Sequence, residues 1–141
     1  KRNVQLVEGC VSGGVTSVKG AVADLEMGMD GVMIGRSGYH QSWDILGDGD
    51  ALIFAKQNRF ADPVEGVEAM LPYVEEHLGE GGKLGQISKH MLGLFAGQPG
   101  ARLWRRVLSE GAHKEGAGVA LIKEALDAVR VAREGALEAQ K

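Results

Sequence analysis

Two glycine loops and one basic stretch hold the residues whose types and spacing suit chemistry. Gly13-Gly14 closes one strand-to-helix connection read from the sequence, and Gly35-Arg36 closes the next. Glycines let an anion approach the backbone, N–H groups at the start of a helix bind it, and Arg36 adds a charge-assisted contact. The chemistry such a pair would do is phosphate binding, although glycines in turns mostly serve the geometry of the turn. The basic stretch spans Gln86 to Glu110 and carries Lys89, His90, Arg102, Arg105 and Arg106 among apolar residues at helical spacing. Cations at that spacing, opposite an apolar stripe, make a face suited to a polyanion. A solvated helical face has the same charge pattern. Cys10 has no base near it in sequence, so it reads as inert packing rather than a nucleophile. His40, His77, His90 and His113 show no metal-ligand spacing, so no metal is expected.

The elements that must position these residues follow from periodicity. Asn3–Val7 reads as a strand, and Gly9–Gly14 as a flexible turn. A helix over Ser17–Gly28 has Val18, Ala21, Val22 and Leu25 as its stripe, with Thr16 or Ser17 as cap. Gly31–Gly35 is a continuous apolar run of the kind buried on both faces of a parallel sheet. Strand, helix and strand within about 30 residues make a βαβ unit. Both glycine loops then lie past the carboxyl ends of strands, where α/β sheets bind ligands.

A short helix is expected over Asp44–Phe54 and a linker over Asn58–Asp62. Next comes a helix capped by Asp62, opened by Pro63 and running to about Leu78. Its stripe is Val64, Val67, Met70, Leu71, Val74 and Leu78, and Pro72 within it calls for a kink or a break. The basic stretch reads as two amphipathic helices joined at Gln98-Pro99-Gly100. Leu84, Ile87, Met91, Leu94 and Phe95 face inward on the first, and Leu103, Trp104, Val107 and Leu108 on the second. Trp104 at this spacing reads as core, although an indole can also stack on a base. Gly111–Gly118 is a turn. The last helix runs from Val119 to about Arg133, with a frayed tail beyond.

Composition narrows the class. The chain has 141 residues, 44% of them hydrophobic, 22 of them glycine, with a net charge of −3 and a single cysteine. One cysteine excludes an internal disulfide and fits a reducing compartment. The longest apolar runs are far short of a membrane span, and the expected location is cytoplasmic. Residues 83–114 carry six Lys/Arg against Glu110 alone, while every other segment is net acidic. The basic block is therefore localised.

Longer motifs point to a family. Asp30-Gly31-Val32-Met33-Ile34-Gly35-Arg36 followed by Tyr39 resembles the last barrel strand of the tRNA-dihydrouridine synthases. Lys89-His90-Met91-Leu92-Gly93-Leu94-Phe95, Gln98-Pro99-Gly100-Ala101-Arg102, Trp104-Arg105-Arg106, Leu108-Ser109-Glu110 and Ala112-His113-Lys114 resemble the helical domain of the A-type branch. Pro72-Tyr73 matches as well, and the resemblance covers about residues 4–133. It departs from the family's pattern at Ser12, where an Asn is usual, and at His40-Gln41-Ser42, where an Asn-Pro pair is usual.

The resemblance implies a mostly α chain. A βαβα remnant of a (β/α)₈ TIM barrel, residues 1–61, would be followed by an antiparallel helical bundle that binds tRNA, residues 62–141. It implies an FMN-dependent enzyme that uses NADPH to reduce a tRNA uridine to 5,6-dihydrouridine, with a barrel cysteine that is not Cys10 protonating C5. Gly13, Gly14, Gly35 and Arg36 would match the FMN-phosphate loops. Lys89, His90, Arg102, Arg105 and Arg106 would lie on the RNA face. A complete barrel of this kind needs roughly 200 or more residues. The partners expected are therefore tRNA and the N-terminal barrel portion, with self-association through exposed strand edges. This chain alone is expected to hold no FMN and to be inactive. The competing readings are a stand-alone RNA-binding or regulatory module and an inactive remnant.

Overall fold

The computed structural model describes residues 9–141. The strand expected at Asn3–Val7 lies outside the described residues. Strand β1 is Cys10–Ser12, inside the stretch read as a turn. Its parallel partner β2, Gly31–Met33, pairs Cys10 with Gly31, Val11 with Val32 and Ser12 with Met33. Pairing explains the correction: the ladder gives the backbone groups of Cys10–Ser12 the partners a turn lacks. Asp30 also accepts the Gly9 N–H at 2.7 Å and its own N–H bonds Gly9 O at 2.9 Å, which closes the start of the pair. Cys10 is exposed, so it is not core packing. The second strand is not buried on both faces, for Met33 is 48% exposed in a two-stranded sheet.

Helix α1, Val18–Glu26, starts at Ser17, whose hydroxyl accepts the Gly20 N–H. It buries Val18 and Ala21. After β2 come three short helices: α2 (Arg36–His40), α3 (Ser42–Leu46) and α4 (Gly49–Phe54). The single helix expected over Asp44–Phe54 is thus divided at Gly47-Asp48. Trp43 packs over Gly47 so closely that a Cβ there would lie 2.7 Å from the Trp43 carbonyl.

Helix α5, Pro63–Gly79, begins as expected, with Asp62 accepting the Val64 N–H at 2.7 Å and Pro63 at the first turn. It is not divided at Pro72. The helix is anchored on both sides of the proline by Val67 and Val74, each fully buried. Met70, expected in the stripe, is at the surface, 36% exposed.

The largest correction concerns the first basic helix. Helix α6 is only Leu84–Ser88, and residues 89–97 follow as successive turns. Their N–H groups reach back three residues, His90 to Ile87, Met91 to Ser88 and Leu94 to Met91. Two carbonyls of this segment also meet donors from outside, and Met91 O is shared between the Leu94 N–H and one of them. The Trp104 indole N–H donates to Met91 O at 2.9 Å, and the Tyr39 hydroxyl lies 3.2 Å from Lys89 O. The apolar spacing survives because three- and four-residue steps both return Ile87, Met91 and Phe95 to the core.

Helix α7, Ala101–Gly111, matches its expectation, and Trp104 is core at 0% exposure. Helix α8 spans Val119–Glu138, beyond the expected end at Arg133. Its extra turns hold Ala136, Leu137 and Glu138, all good helix formers, which offset Gly135. Arg133 is itself tied down. Its guanidinium donates to both Asp62 oxygens, at 3.0 and 2.8 Å, and to Gln98, and lies 5.5 Å from the Phe95 ring centre. Helices α5 to α8 share one core, in which Phe95 meets Trp104 edge-on with centroids 4.8 Å apart.

Gly100 opens α7 with φ +86°, and a Cβ there would lie 2.7 Å from the Val129 Cα on α8. Both the left-handed backbone and the close approach oppose a side chain. Gly100→Ala is expected to destabilise the fold by on the order of 2 kcal/mol or more, read as a lowered urea midpoint with an unchanged slope.

Candidate functional site

Because β1 and β2 run parallel in register, their carboxyl ends meet the same edge of the sheet. Adjacent strands lie about 4.8 Å apart. Gly13-Gly14 and Gly35-Arg36 therefore leave the sheet side by side. Gly13 and Gly14 have φ of +96° and +76°, the region that L side chains rarely adopt. Among the described residues no heavy atom lies within 4 Å of where a Cβ would stand on either, which leaves room for a small anion to reach their backbone. Gly35 precedes α2, and Arg36 is its first residue, exposed and without an ion-pair partner among the described residues. Ser17 is already used as the cap of α1. These features fit a phosphate group.

The basic residues divide between two segments. Arg102, Arg105 and Arg106 are exposed on α7, at the spacing that places them on one side of the helix, while Trp104 and Leu108 are buried on the other. Lys89 and His90 are exposed in the turns after α6. Among the described residues none of these cations pairs with a carboxylate; the ion pairs are Arg130 with Glu68 and Asp127, and Arg133 with Asp62. The Arg130 guanidinium is raised by its hydrogen bond to Asp127 and then by Glu68, with burial opposing, which only secures a charge it already has. Unpaired exposed cations remain free to meet an external anion.

What sequence reasoning missed is the joint between the two regions. Tyr39, on the helix that Gly35 and Arg36 begin, places its hydroxyl 3.2 Å from Lys89 O and 3.1 Å from His90 Nδ1. Gly93 lies against the same helix end: a Cβ on it would be 2.7 Å from the carbonyl oxygens of both Tyr39 and His40. Fifty residues separate Tyr39 from Lys89, so no periodicity could have signalled this contact. A second feature, also without a linear signal, is a groove of ≈ 910 Å³ between the ends of α5 and α7, lined in part by Lys83, Gln86, His113 and Lys114. Among the described residues no group of His, Cys, Asp and Glu could hold a metal ion, and no helix is long and apolar enough to cross a membrane.

Comparison with known proteins gives this geometry a context. The family described as dihydrouridine synthase matches residues 1–132. The chain is 49% identical over 129 residues to a tRNA-dihydrouridine(20/20a) synthase of Salmonella typhimurium, covering 92% of this chain and 38% of that protein. It is 48% identical to the protein of that name in Escherichia coli K12, covering 92% and 37%. The Shewanella oneidensis protein of the same name is 42% identical over 130 residues, covering 92% and 38%. The chain thus spans a little over a third of the length of these relatives. A match along nearly the whole chain, together with paired glycine loops and an unpaired basic segment, leads to one assignment: the chain belongs to the dihydrouridine synthase family.

Proposed function

We propose that this chain is the C-terminal part of a flavin-dependent tRNA-dihydrouridine synthase. Residues 1–61 form the end of a (β/α)₈ barrel, and residues 62–141 form an antiparallel helical tRNA-binding domain. One observation carries this reading: two open glycine loops leave the same sheet edge, and the helix that starts at the second is bonded directly to an unpaired basic segment. A cofactor phosphate and an RNA substrate would then be gripped by adjoining parts of one chain.

The N–H groups of Gly13, Gly14 and Gly35 would hold the FMN phosphate, and Arg36 would neutralise it. FMN, reduced by NADPH, supplies the hydride that converts uridine to 5,6-dihydrouridine. The chain's own share is binding and orientation. A uridine must leave its stack to reach a flavin, and the energy for that comes from contacts elsewhere on the RNA. Lys89, Arg102, Arg105 and Arg106 supply such contacts to backbone phosphates, and His90 is exposed next to Lys89 in the chain. The residues that react with the base lie in the barrel portion outside this chain.

Binding of a tRNA transcript, measured by anisotropy across salt concentrations, tests this reading. Four phosphate contacts predict a fall of about 3 to 4 in log K per decade of salt. A slope near zero, or no binding at low salt, overturns the tRNA-binding role.

A further inference from the structure

The Tyr39–Lys89–His90 contact restricts what His90 can recognise. A tyrosine hydroxyl has one proton to donate. Lys89 O can only accept, so the 3.2 Å contact to it uses that proton. The 3.1 Å contact to His90 Nδ1 then forms only if Nδ1 carries a hydrogen and donates to the tyrosine oxygen. A neutral imidazole protonated at Nδ1 has a bare lone pair at Nε2. The ring meets Tyr39 edge-on, with centroids 5.8 Å apart and planes at 82°, and His90 remains exposed. In the neutral ring the outward nitrogen is an acceptor, which opposes a phosphate oxygen and suits a hydroxyl donor. On an RNA backbone the hydroxyl donor is the ribose 2′-OH.

We propose that Tyr39 is a positioning residue that fixes His90 in the Nδ1–H tautomer, and that His90 accepts a hydrogen bond from a ribose 2′-hydroxyl of the bound RNA. The proposal rests on the tRNA-binding reading and changes it in one respect: His90 reads sugar where the α7 arginines read phosphate. Tyr39 sits three residues after Arg36, so the cofactor-side helix itself orients this acceptor.

Two measurements test it on the chain labelled with ¹⁵N. Long-range proton–nitrogen spectra of the neutral His90 ring are expected to show the proton on Nδ1, and Tyr39→Phe is expected to populate the Nε2–H form. An Nε2–H ring in the unmodified chain overturns the proposal. In the second, tRNA transcripts carrying scattered 2′-deoxy nucleotides are selected for binding. At least one position is expected where loss of the hydroxyl weakens binding about two- to tenfold, as for one hydrogen bond, and where the effect vanishes in His90→Ala. Identical interference maps for the two proteins overturn the 2′-hydroxyl contact while leaving tRNA binding intact. Failure of the unmodified chain to bind tRNA overturns the tRNA-binding reading as well.

Discussion

Trp104→Ala is expected to cost about 3–5 kcal/mol of stability, the range for truncating a buried aromatic residue. Trp104 is fully buried between α7 and the turns after α6, and packs edge-on against Phe95. Its indole N–H is also the outside donor that serves Met91 O. Truncation therefore opens a cavity and removes that donor together. Trp104→Phe separates the two effects, because it keeps most of the apolar volume but loses the N–H. Its expected cost is smaller than that of the alanine variant, though above 1 kcal/mol, since part of the volume is lost along with the hydrogen bond. Urea unfolding followed by circular dichroism gives both numbers. A Trp104→Phe protein as stable as the parent would show that the turns 89–97 need no outside donor.

The double charge reversal Arg105→Glu/Arg106→Glu is expected to weaken tRNA binding by at least about a hundredfold, because each charge-assisted hydrogen bond contributes about 1.5–3 kcal/mol. The salt dependence should also flatten by about 2 in log–log slope, one for each lost phosphate contact. Both side chains are exposed and have no ion-pair partner among the described residues, so the fold should tolerate the change within about 0.5 kcal/mol. An unchanged thermal midpoint with lost binding assigns the effect to the surface. Equal binding by this variant would remove α7 from the RNA face.

The two variants probe opposite faces of one helix, and they differ in how readable their basis was. On α7 the apolar and cationic residues alternate at helical spacing with no competing partner, so which side is buried follows from the sequence. The same held for the cap at Asp62 and Pro63, where the first orphan N–H groups of α5 need an acceptor two residues away. Both are local interactions, and local interactions leave a local pattern. Gly13-Gly14 was legible as a loop for the same reason, since only glycine takes those backbone angles without strain.

Other features depended on residues far apart. β1 falls on Cys10–Ser12 because β2 supplies ladder partners about twenty residues later, and the glycine-rich surroundings of that run read as a turn until the partner is known. α6 stops at Ser88 although the apolar spacing continues to Phe95; beyond it N–H groups reach back three residues, and Trp104 and Tyr39 donate to the carbonyls of Met91 and Lys89. Periodicity records which side chains face inward, and turns of three residues and helices of 3.6 keep nearly the same record.

The sequence by itself determined the inventory: two glycine loops able to admit a phosphate, one basic block in an otherwise acidic chain, and the apolar stripes that bury α5, α7 and α8. Only the tertiary structure decided how that inventory is joined. It set the two loops on one sheet edge, bonded Tyr39 to the segment fifty residues on, and fixed which nitrogen of His90 faces outward. The physical reason is that a hydrogen bond is assigned by donor and acceptor geometry in space, and a tyrosine hydroxyl with one proton to donate leaves no trace in residue spacing.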